Sequence, residues 1–316
     1  MMLDRLARFK QACAAFPESV HPILKRLPEQ GGKLNHDACQ ELMKALNISL
    51  EELMLILLPV AGVFARVPVS GFCVGAVAQT ESGLESSQKE LYLGANLEFE
   101  NLTLNATIHA EQSAALNAWH QNGGRLLAVA TSETPCGHCR QFLHEFYGGN
   151  DLAIIQPGNR ENDCRVQPIA KLLPQPFTPA NLNTPISLMA QMQAFNRLKL
   201  LSESNDPVVA AALEAANAAY APYSGNLAGC SIQARSKQIV SGRSMESVAF
   251  NPSVPALHAA VIRMNLMTLN EPLAVERIVL VERTKKIRQK ETSQTLIKAI
   301  MPDIMLEYYL AQEETE

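Results

Sequence analysis

Two short stretches decide the fold of this 316-residue chain: His109-Ala110-Glu111 and Pro135-Cys136-Gly137-His138-Cys139. The second follows Arg125–Thr131 (RLLAVAT), a run typical of a buried strand, and its proline suits the first turn of a helix. The cysteines are therefore expected at a helix N-terminus, where the helix dipole favours thiolates, the form that binds metal. Two thiolates and the His109 imidazole make three ligands. They leave the fourth position of a tetrahedral Zn²⁺ open, as in catalytic zinc sites.

Glu111 lies two residues after His109, where it can move protons without binding the metal. Water bound to zinc loses a proton near neutral pH, and a neighbouring carboxylate can take that proton and pass it on. In an amidine such as cytosine, ring N3 gains a proton during attack and the exocyclic amine is protonated before it leaves as ammonia. The combination of H-x-E with P-C-x-x-C is the known signature of zinc nucleobase deaminases. It predicts one Zn²⁺ per chain, held by His109, Cys136 and Cys139, with Glu111 as the catalytic acid and base.

The tetrapeptide Cys136-Gly137-His138-Cys139 has a second interpretation, because C-G-H-C is also the active-site sequence of disulfide isomerases with a thioredoxin fold. That interpretation requires an oxidising compartment and usually a tryptophan before the first cysteine. Here Pro135 precedes it, and the interpretation gives no role to His109 or Glu111. The metal site is the favoured hypothesis.

The composition along the chain predicts three folded units of an α/β protein. Residues 1–47 have helical spacing of apolar residues, and residues 48–178 alternate strand-like and helix-like runs around the two motifs. Five prolines fall between positions 168 and 185, which predicts a linker over residues 179–204. Residues 205–316 form the third unit.

The third unit repeats features of the second. Pro68-Val69-Ser70 is echoed by Pro222-Tyr223-Ser224, and the spacing from Gly94 to Glu98 is echoed from Gly242 to Glu246. We therefore predict a duplicated domain. Eleven residues separate Glu98 from His109, and the same step from Glu246 reaches Leu257, followed by His258. In either alignment the catalytic glutamate and the thiolates are missing, so the second copy is predicted to be inactive.

Charge and hydropathy narrow the possible partners and the compartment. The chain has 27 Lys and Arg against 31 Asp and Glu, without the basic excess typical of nucleic-acid-binding proteins. Its most apolar stretch, residues 53–69, is interrupted by two prolines and an arginine, so no membrane span is expected. The first residues lack the apolar core of a secretion signal, and the spacing of the seven cysteines suggests no disulfide framework. We expect a cytoplasmic protein with a small-molecule substrate.

Four stretches resemble cytidine deaminases, in particular the long bacterial type that forms homodimers: residues 68–77 (PVSGFCVGAV), 94–99 (GANLEF), 109–113 (HAEQS) and 134–142 (TPCGHCRQF). The resemblance covers nearly the whole chain. It implies a mixed five-stranded sheet flanked by helices, present in duplicate, with a small N-terminal helical domain and one inactive copy. It also implies that the inactive copy shapes the interface of a homodimer.

The resemblance further implies a set of substrate-binding residues. Asn96 and Glu98 would hold the ribose hydroxyls, Phe72 would pack on the pyrimidine, and Ala110 would offer backbone contacts to the base. Plainer interpretations stay open at this stage: a turn residue for Asn96, an exposed strand-end residue for Glu98, and a core strand residue for Phe72.

The function expected from the sequence is hydrolytic deamination of cytidine and deoxycytidine to uridine and deoxyuridine, as in pyrimidine salvage. A related nucleotide or modified nucleoside is the alternative substrate for the same zinc site. A zinc-stabilised binding protein without turnover is an alternative from another class, and for such a protein Glu111 would be dispensable.

Overall fold

The N-terminal region is a cluster of short helices that begin at residues typical of helix starts. The computed structural model describes residues 4–82, 88–158, 164–184, 187–190, 196–269 and 273–314. Asn35 caps the third helix by accepting from the Ala38 N–H, and Ser49 forms a capping box with Glu52 at the start of the fourth. The elements here are α1 (Arg5–Ala14), a 3₁₀ turn (Glu18–Val20), α2 (His21–Lys25), β1 (Lys33–Leu34), α3 (His36–Leu46), α4 (Leu50–Ile56) and α5 (Leu58–Gly62).

A mixed sheet follows and forms the centre of the first α/β unit. Its strand order is β1-β3-β2-β4-β5-β6, with β4 and β5 parallel and the other neighbours antiparallel. The elements of this unit are β2 (Gly75–Ser82), β3 (Gln88–Ala95), a 3₁₀ turn (Leu104–Ala106), α6 (Ala110–His120), β4 (Arg125–Thr131), α7 (Gly137–Leu143), a 3₁₀ turn (Gly149–Asp151), β5 (Ala153–Pro157), β6 (Cys164–Pro168), α8 (Ile169–Leu172) and a 3₁₀ turn (Pro179–Leu182).

Two glycines let helices lie directly against both faces of this sheet. A Cβ on Gly75 would lie 2.3 Å from the Leu58 carbonyl oxygen of α5, and one on Gly94 would lie 2.1 Å from the Ala114 nitrogen of α6. Gly75 pairs with Ala95, so the next residue, Gly94, faces the opposite side of the sheet. Helices α5 and α6 therefore cover opposite faces, and any larger side chain at either glycine would push a helix away.

The second unit repeats this arrangement, which confirms the predicted duplication. A Cβ on Gly229 would lie 2.2 Å from the Ala212 carbonyl oxygen of α9, and one on Gly242 would lie 2.1 Å from the Ala260 nitrogen of α10. The strand order is β7-β11-β10-β8-β9, with β10 and β11 parallel. The elements are β7 (Leu198–Leu200), α9 (Pro207–Asn217), β8 (Leu227–Ala234), β9 (Ile239–Arg243), α10 (Ala256–Leu266), β10 (Val275–Arg283), α11 (Lys290–Ile300) and β11 (Leu306–Glu313).

The matched glycine contacts define which residues of the two copies correspond. Gly94 contacts Ala110 and Ala114, and Gly242 contacts Ala256 and Ala260. The contacted alanines of the second copy are numbered 146 higher than those of the first (256 − 110 and 260 − 114). The counterpart of His109 is therefore Pro255, and the counterpart of Glu111 is Leu257. The alignment that places the counterpart of His109 eleven residues after Glu246 is therefore wrong. The loop before α10 is two residues shorter than the loop before α6.

The predicted five-stranded mixed sheet is confirmed, and the first copy gains one more strand at its edge. This strand is β1, which comes from residues 1–47 and pairs Lys33 with Tyr92 of β3. Part of the predicted linker 179–204 instead belongs to the second sheet, because Leu198–Leu200 pairs with β11. The prolines upstream gave no indication of so short an edge strand. Residues 185–186 and 191–195 of that linker, and the tip of the β2–β3 hairpin at residues 83–87, lie outside the described residues.

The two copies share one continuous apolar core and a seam of hydrogen bonds. Helix α6 contacts α10. Asn265 of α10 accepts from the Arg66 Nε at 2.7 Å and donates to the Phe64 carbonyl oxygen at 2.7 Å. Arg243 lies over the ring of Trp119, 4.0 Å from its centroid, and donates to the carbonyl oxygen of the same residue. The second unit is thus fixed against the helix that begins at His109.

In the described part of the chain, no single helix is long and apolar enough to cross a membrane. The pair formed by His36–Leu46 and Leu50–Gly62 passes the same test of length and composition but is bent by 89°. Leu53, Met54 and Leu57 of this segment are fully buried in the core.

Candidate active site

The first half of the candidate site is the N-terminus of α6. His109 is the N-cap residue, and its backbone N–H donates to the Oε1 of Gln112 in the first turn of the helix. The Gln112 side chain thus caps the start of the helix, as in a capping box. Glu111 lies in the first turn and is 5% exposed. Gln112 also donates to the Pro252 carbonyl oxygen of the second copy at 3.2 Å. The helix start is therefore fixed on both sides of the histidine.

The second half is the N-terminus of α7. Cys136 is the N-cap residue with extended backbone, and Cys139 lies one turn further on, fully buried. Arg140 donates from Nε to the Pro135 carbonyl oxygen at 2.8 Å and from Nη1 to the Leu172 carbonyl oxygen at 2.8 Å. These bonds hold the Pro-Cys turn against the helix, and sequence analysis did not single out Arg140.

The two helix ends bring the three predicted metal ligands together. The Sγ of Cys136 lies 3.5 Å from the Nδ1 of His109 and 3.7 Å from the Sγ of Cys139. A tetrahedral Zn²⁺ with ordinary bond lengths requires about 3.6 Å between nitrogen and sulfur and about 3.8 Å between two sulfurs. Among the described residues, these three are the group of His, Cys, Asp and Glu whose ligand atoms all lie within 4.8 Å of one another. The donor set fits zinc in both chemistry and spacing.

The electrostatics of this group favour a metal with thiolate ligands. Hydrogen bonds from Cys139 and His109 lower the pKa of Cys136 to about 3, whereas the hydrogen bond with Cys136, together with burial, raises the pKa of Cys139. The hydrogen bond with Cys136 also raises the pKa of His109. Cys136 therefore favours the thiolate form, which is the form that binds a cation.

Glu111 differs from the other three residues because its carboxyl group is buried beside them. Burial raises its pKa, while hydrogen bonds from its own backbone N–H and from Cys139 oppose that shift. A carboxyl group with a raised pKa next to a metal site can both accept and donate protons near neutral pH.

Asn96 and Glu98 lie at the end of β3, where both are bonded to the segment that leads into β2. Asn96 accepts from the Val74 N–H at 2.9 Å and donates to the Phe72 carbonyl oxygen at 2.9 Å. Glu98 accepts from the backbone N–H groups of Val69 and Ser70, both at 2.9 Å, and from the Ser70 hydroxyl at 2.5 Å. These bonds lower the pKa of Glu98, against the effect of its partial burial. Sequence analysis did not predict a role for Ser70.

Phe72 and Ala110 have opposite environments. Phe72 is 55% exposed, so the interpretation as a core strand residue is wrong. Its backbone carbonyl oxygen accepts from Asn96 and its backbone N–H donates to the Ser70 hydroxyl oxygen, and these two bonds fix its position. Ala110 is buried at the first position of α6, between His109 and Glu111.

Known proteins share both the motifs and the duplication. Models of the cytidine and deoxycytidylate deaminase zinc-binding region match residues 48–151 and residues 169–294. A cytidine deaminase of Aliivibrio fischeri is 35% identical over 304 residues, which cover 95% of this chain and 97% of that protein. The chain belongs to the cytidine deaminase family. Two further cytidine deaminases are similar over most of their length: that of Haemophilus influenzae is 36% identical, covering 88% of this chain and 89% of the relative, and that of Sodalis glossinidius is 37% identical, covering 88% and 90%.

The family model that matches residues 48–151 describes a zinc-binding region. The distances among His109, Cys136 and Cys139 agree with those around a tetrahedral zinc ion. The second family match covers a unit with a different set of residues at the corresponding place. Pro255 and Gln289 are the N-cap residues of α10 and α11, where the first copy has histidine and cysteine. The second copy keeps the family fold without its metal donors.

Proposed function

We propose that this protein catalyses the hydrolytic deamination of cytidine and deoxycytidine to uridine and deoxyuridine, with release of ammonia. The observation that carries the proposal is the tetrahedral spacing of His109 Nδ1, Cys136 Sγ and Cys139 Sγ beside the buried carboxyl group of Glu111. The relatives that match nearly the whole chain are cytidine deaminases.

Zn²⁺ is the cofactor, and we assign one ion per chain to His109, Cys136 and Cys139. When bound, the ion activates a water molecule for attack on the pyrimidine ring. Cys136 and Cys139 bind it as thiolates from the N-terminus of α7, whose dipole favours negative charge at that end. His109 binds through Nδ1, and its position follows from its place as the N-cap residue of α6.

Glu111 moves the protons of the reaction. Its carboxylate accepts a proton from the attacking water and delivers it to ring N3. It then accepts the second proton, from the hydroxyl now on C4, and passes it to the amine, which leaves as ammonia while the C4 carbonyl forms. The side chain is 5% exposed, so bulk water does not compete for these transfers. Glu111 lies in the same first turn as Ala110, whose backbone we propose as the contact for the base.

Asn96 and Glu98 are proposed to hold the ribose, and Phe72 to pack on the pyrimidine. Each oxygen of a carboxylate has more than one lone-pair direction, so Glu98 can accept from a ribose hydroxyl in addition to its bonds with Val69 and Ser70. A carboxylate at this place also repels a phosphate group on that hydroxyl. The exposed ring of Phe72 lies on the segment that Asn96 fixes, which supports a contact with the substrate.

We propose that the chain forms a homodimer in the cytoplasm. Val69 and Phe72 are 56% and 55% exposed on the segment next to the site, which supports a partner chain that covers them. Cys13, Cys39, Cys73, Cys136, Cys139 and Cys230 form no disulfide, which supports a reducing compartment where zinc thiolates would persist. Sedimentation equilibrium of the purified protein tests the dimer: a mass of twice 34.5 kDa is expected, and a monomeric mass would contradict it.

The decisive experiment measures cytidine turnover by ultraviolet absorbance for the wild type and Glu111→Ala, with zinc counted in both. We expect zinc to stay at one per chain in both proteins and turnover of the variant to fall by about 10⁴-fold, the upper range for loss of a general acid and base. Glu100→Ala, which removes an exposed carboxylate from the loop before α6, is the matched control and should keep full turnover.

Two outcomes would contradict separate parts of this assignment. A wild type that binds zinc but converts neither cytidine nor deoxycytidine would contradict the substrate. A Glu111→Ala variant that has lost its zinc would contradict the division between ligands and proton carrier.

A further inference from the structure

The helix that carries the two cysteines of the candidate site is too short to hold its own position. Helix α7 has seven residues, and isolated helices shorter than about 12–15 residues are marginal in water. Cys136 and Cys139 therefore keep their spacing only if the surrounding protein anchors both ends of α7. Arg140 holds the N-terminal end at the Pro-Cys turn. The anchor of the C-terminal end lies in the second copy.

Glu145, two residues after the end of α7, makes this second anchor. It is fully buried, and its carboxylate accepts three hydrogen bonds from residues of the second copy. The Tyr220 hydroxyl donates to Oε1 at 2.7 Å, the Tyr223 hydroxyl donates to the same oxygen at 2.5 Å, and the Val248 N–H donates to Oε2 at 2.8 Å. A carboxylate removed from water is stable only when donors of this kind surround it, so the position of Glu145 depends on the second copy.

Glu145 is joined closely to the helix before it. Its N–H donates to the Phe142 carbonyl oxygen at 3.1 Å, which continues the hydrogen bonding of the last turn of α7. Phe142 and Leu143 are fully buried. Glu145 lies six residues after Cys139, or about 9 Å at the rise of an α-helix. A shift of Glu145 is therefore passed through one packed turn to the buried cysteine.

The corresponding helix end in the second copy is built differently. Nine residues separate the N-cap residue Cys136 from Glu145 in the first copy (145 − 136), and the same step from the N-cap residue Gln289 reaches Lys298 in α11 (298 − 289). Lys298 is exposed to solvent, whereas Glu145 is fully buried. The duplicated fold therefore does not itself require a buried carboxylate at this position.

The donors to Glu145 also have different counterparts. Tyr223 corresponds to Val69 in the repeated Pro-x-Ser segment, and Tyr220, three residues earlier, corresponds to Arg66. A cavity of about 460 Å³ lies at this place, lined by Arg66 and by Ala299 near the end of α11. Among the described residues, the buried carboxylate link is thus made at the end of the helix that carries the cysteines, and a cavity takes its place at the other helix.

We propose that Glu145 is a positioning residue of the zinc site, through which Tyr220 and Tyr223 of the second copy hold α7 and its two cysteines in place. The copy without metal donors thereby helps to retain the metal without contacting it. The proposal rests on the proposed function only in assigning Zn²⁺ to the cysteines of α7.

The test measures the release of zinc from the full-length, zinc-loaded protein to an excess of a chromogenic chelator, at a temperature well below unfolding. The double variant Tyr220→Phe/Tyr223→Phe leaves the sequence of the first copy unchanged and leaves Glu145 with one of its three donors. We expect the double variant to release zinc at least about tenfold faster than the wild type, the fold-change that corresponds to one lost hydrogen bond to a charged group.

Tyr308→Phe is the matched control for the single variant Tyr220→Phe. It also removes one tyrosine hydroxyl from a fully buried carboxylate, that of Glu282, which lies in the second copy and has no bond to α7 among the described residues. Tyr308→Phe should release zinc as slowly as the wild type, whereas Tyr220→Phe should release it faster. This pair decides the question even if the double variant does not fold.

Two results would overturn the proposal. One is zinc release from the tyrosine variants at the rate of the wild type. The other is equal acceleration in Tyr220→Phe and Tyr308→Phe, which would mark a general loss of stability. The measurement needs no turnover, so a wild type that holds zinc but does not convert cytidine would contradict the proposed function alone. An active wild type with unchanged zinc release in the variants would contradict this proposal alone.

Discussion

In the first copy, the N-cap residues of the two helices at the site are His109 and Cys136, whose Nδ1 and Sγ lie 3.5 Å apart in the proposed zinc site. In the second copy they are Pro255 and Gln289, and a hydrogen bond joins the same two helix ends. Gln289 Oε1 accepts from the Ala256 N–H at 2.9 Å. The second copy therefore shows that a hydrogen bond alone can join these two helix ends in this fold, which supports a chemical role for the zinc ion proposed in the first copy.

The link in the second copy is part of a buried polar network. Gln289 Nε2 donates to Asn226 Oδ1 at 2.9 Å, and Asn226 Nδ2 donates to Glu282 at 2.8 Å. Glu282 is fully buried and also accepts from the Gln289 N–H and the Tyr308 hydroxyl. Buried polar groups stay in a protein core when each has a partner, and this network meets that condition at the place of the lost metal.

The largest effect, on zinc content and cytidine turnover, is expected when Cys136 is replaced by glutamine, the residue at the corresponding position of the second copy. Cys136→Gln removes one thiolate, so zinc should fall well below one per chain and cytidine turnover should fall at least as far as in Glu111→Ala. The glutamine can accept from the Ala110 N–H as Gln289 does from Ala256, so thermal unfolding of the variant should remain cooperative. Metal analysis and calorimetry check both points, and a variant that keeps a full zinc complement would break the comparison.

A second effect comes from His258, whose counterpart in the first copy is Gln112. Burial lowers the pKa of His258 to about 4, from an ordinary 6.5. Between these values the unfolded chain binds a proton that the folded chain does not, so stability is full above pH 6.5 and falls as the pH falls towards 4. The shift corresponds to about 3 kcal/mol.

The matched variant His258→Gln places the residue of the first copy in the second. Denaturation curves of wild type and variant at pH 7 and pH 4.5 should show that the wild type loses more stability on acidification. Zinc release on acidification affects both proteins equally and cancels in the difference. Parallel losses in the two proteins would contradict a role for His258.

A smaller effect is expected from Gln289→Ala. The change leaves the Ala256 N–H and the Asn226 Oδ1 without their partner and should lower the free energy of unfolding by about 2 kcal/mol. Zinc content and the KM for cytidine should stay unchanged, because the network lies in the second copy. A loss of zinc on this change would mean that the two sites are not separate.

The smallest effects are expected from the two corresponding carboxylates, Glu98 and Glu246, and they distinguish the two copies by the KM for cytidine. Glu98→Ala should raise the KM for cytidine about tenfold, the value of one lost charged hydrogen bond to the ribose, whereas Glu246→Ala should change neither KM nor zinc content. Both variants lose the same bonds to their loops, so each is the structural control for the other. Equal KM values in the two variants would contradict the ribose contact of Glu98.

The sequence predicted what depends on motif chemistry and on local spacing. His109, Cys136 and Cys139 converge because they lie at helix starts after β3 and β4. These strands flank β2 and run in the same direction, so both end at one edge of the sheet. The second copy was harder to align, since its loop before α10 is shorter and the single histidine there, His258, suggested a ligand position that belongs to Pro255. No motif marks a network such as Gln289, Asn226 and Glu282, because Asn226 lies 56 residues from Glu282 and 63 from Gln289 and meets them only in the folded core.

The seam between the copies has a consequence for the synthesis of the chain. Arg66 and Asn265, which join across it, are 199 residues apart, and Gln112 and Pro252 are 140 residues apart. At about 5–20 residues per second, a ribosome needs roughly 4–17 s to make the 83 residues from Leu182, where the first copy ends, to Asn265 (265 − 182). During that interval the apolar face of α6 is exposed to solvent, because α10 has not yet been synthesised. We therefore expect the nascent first copy to bind chaperones until α10 packs against α6.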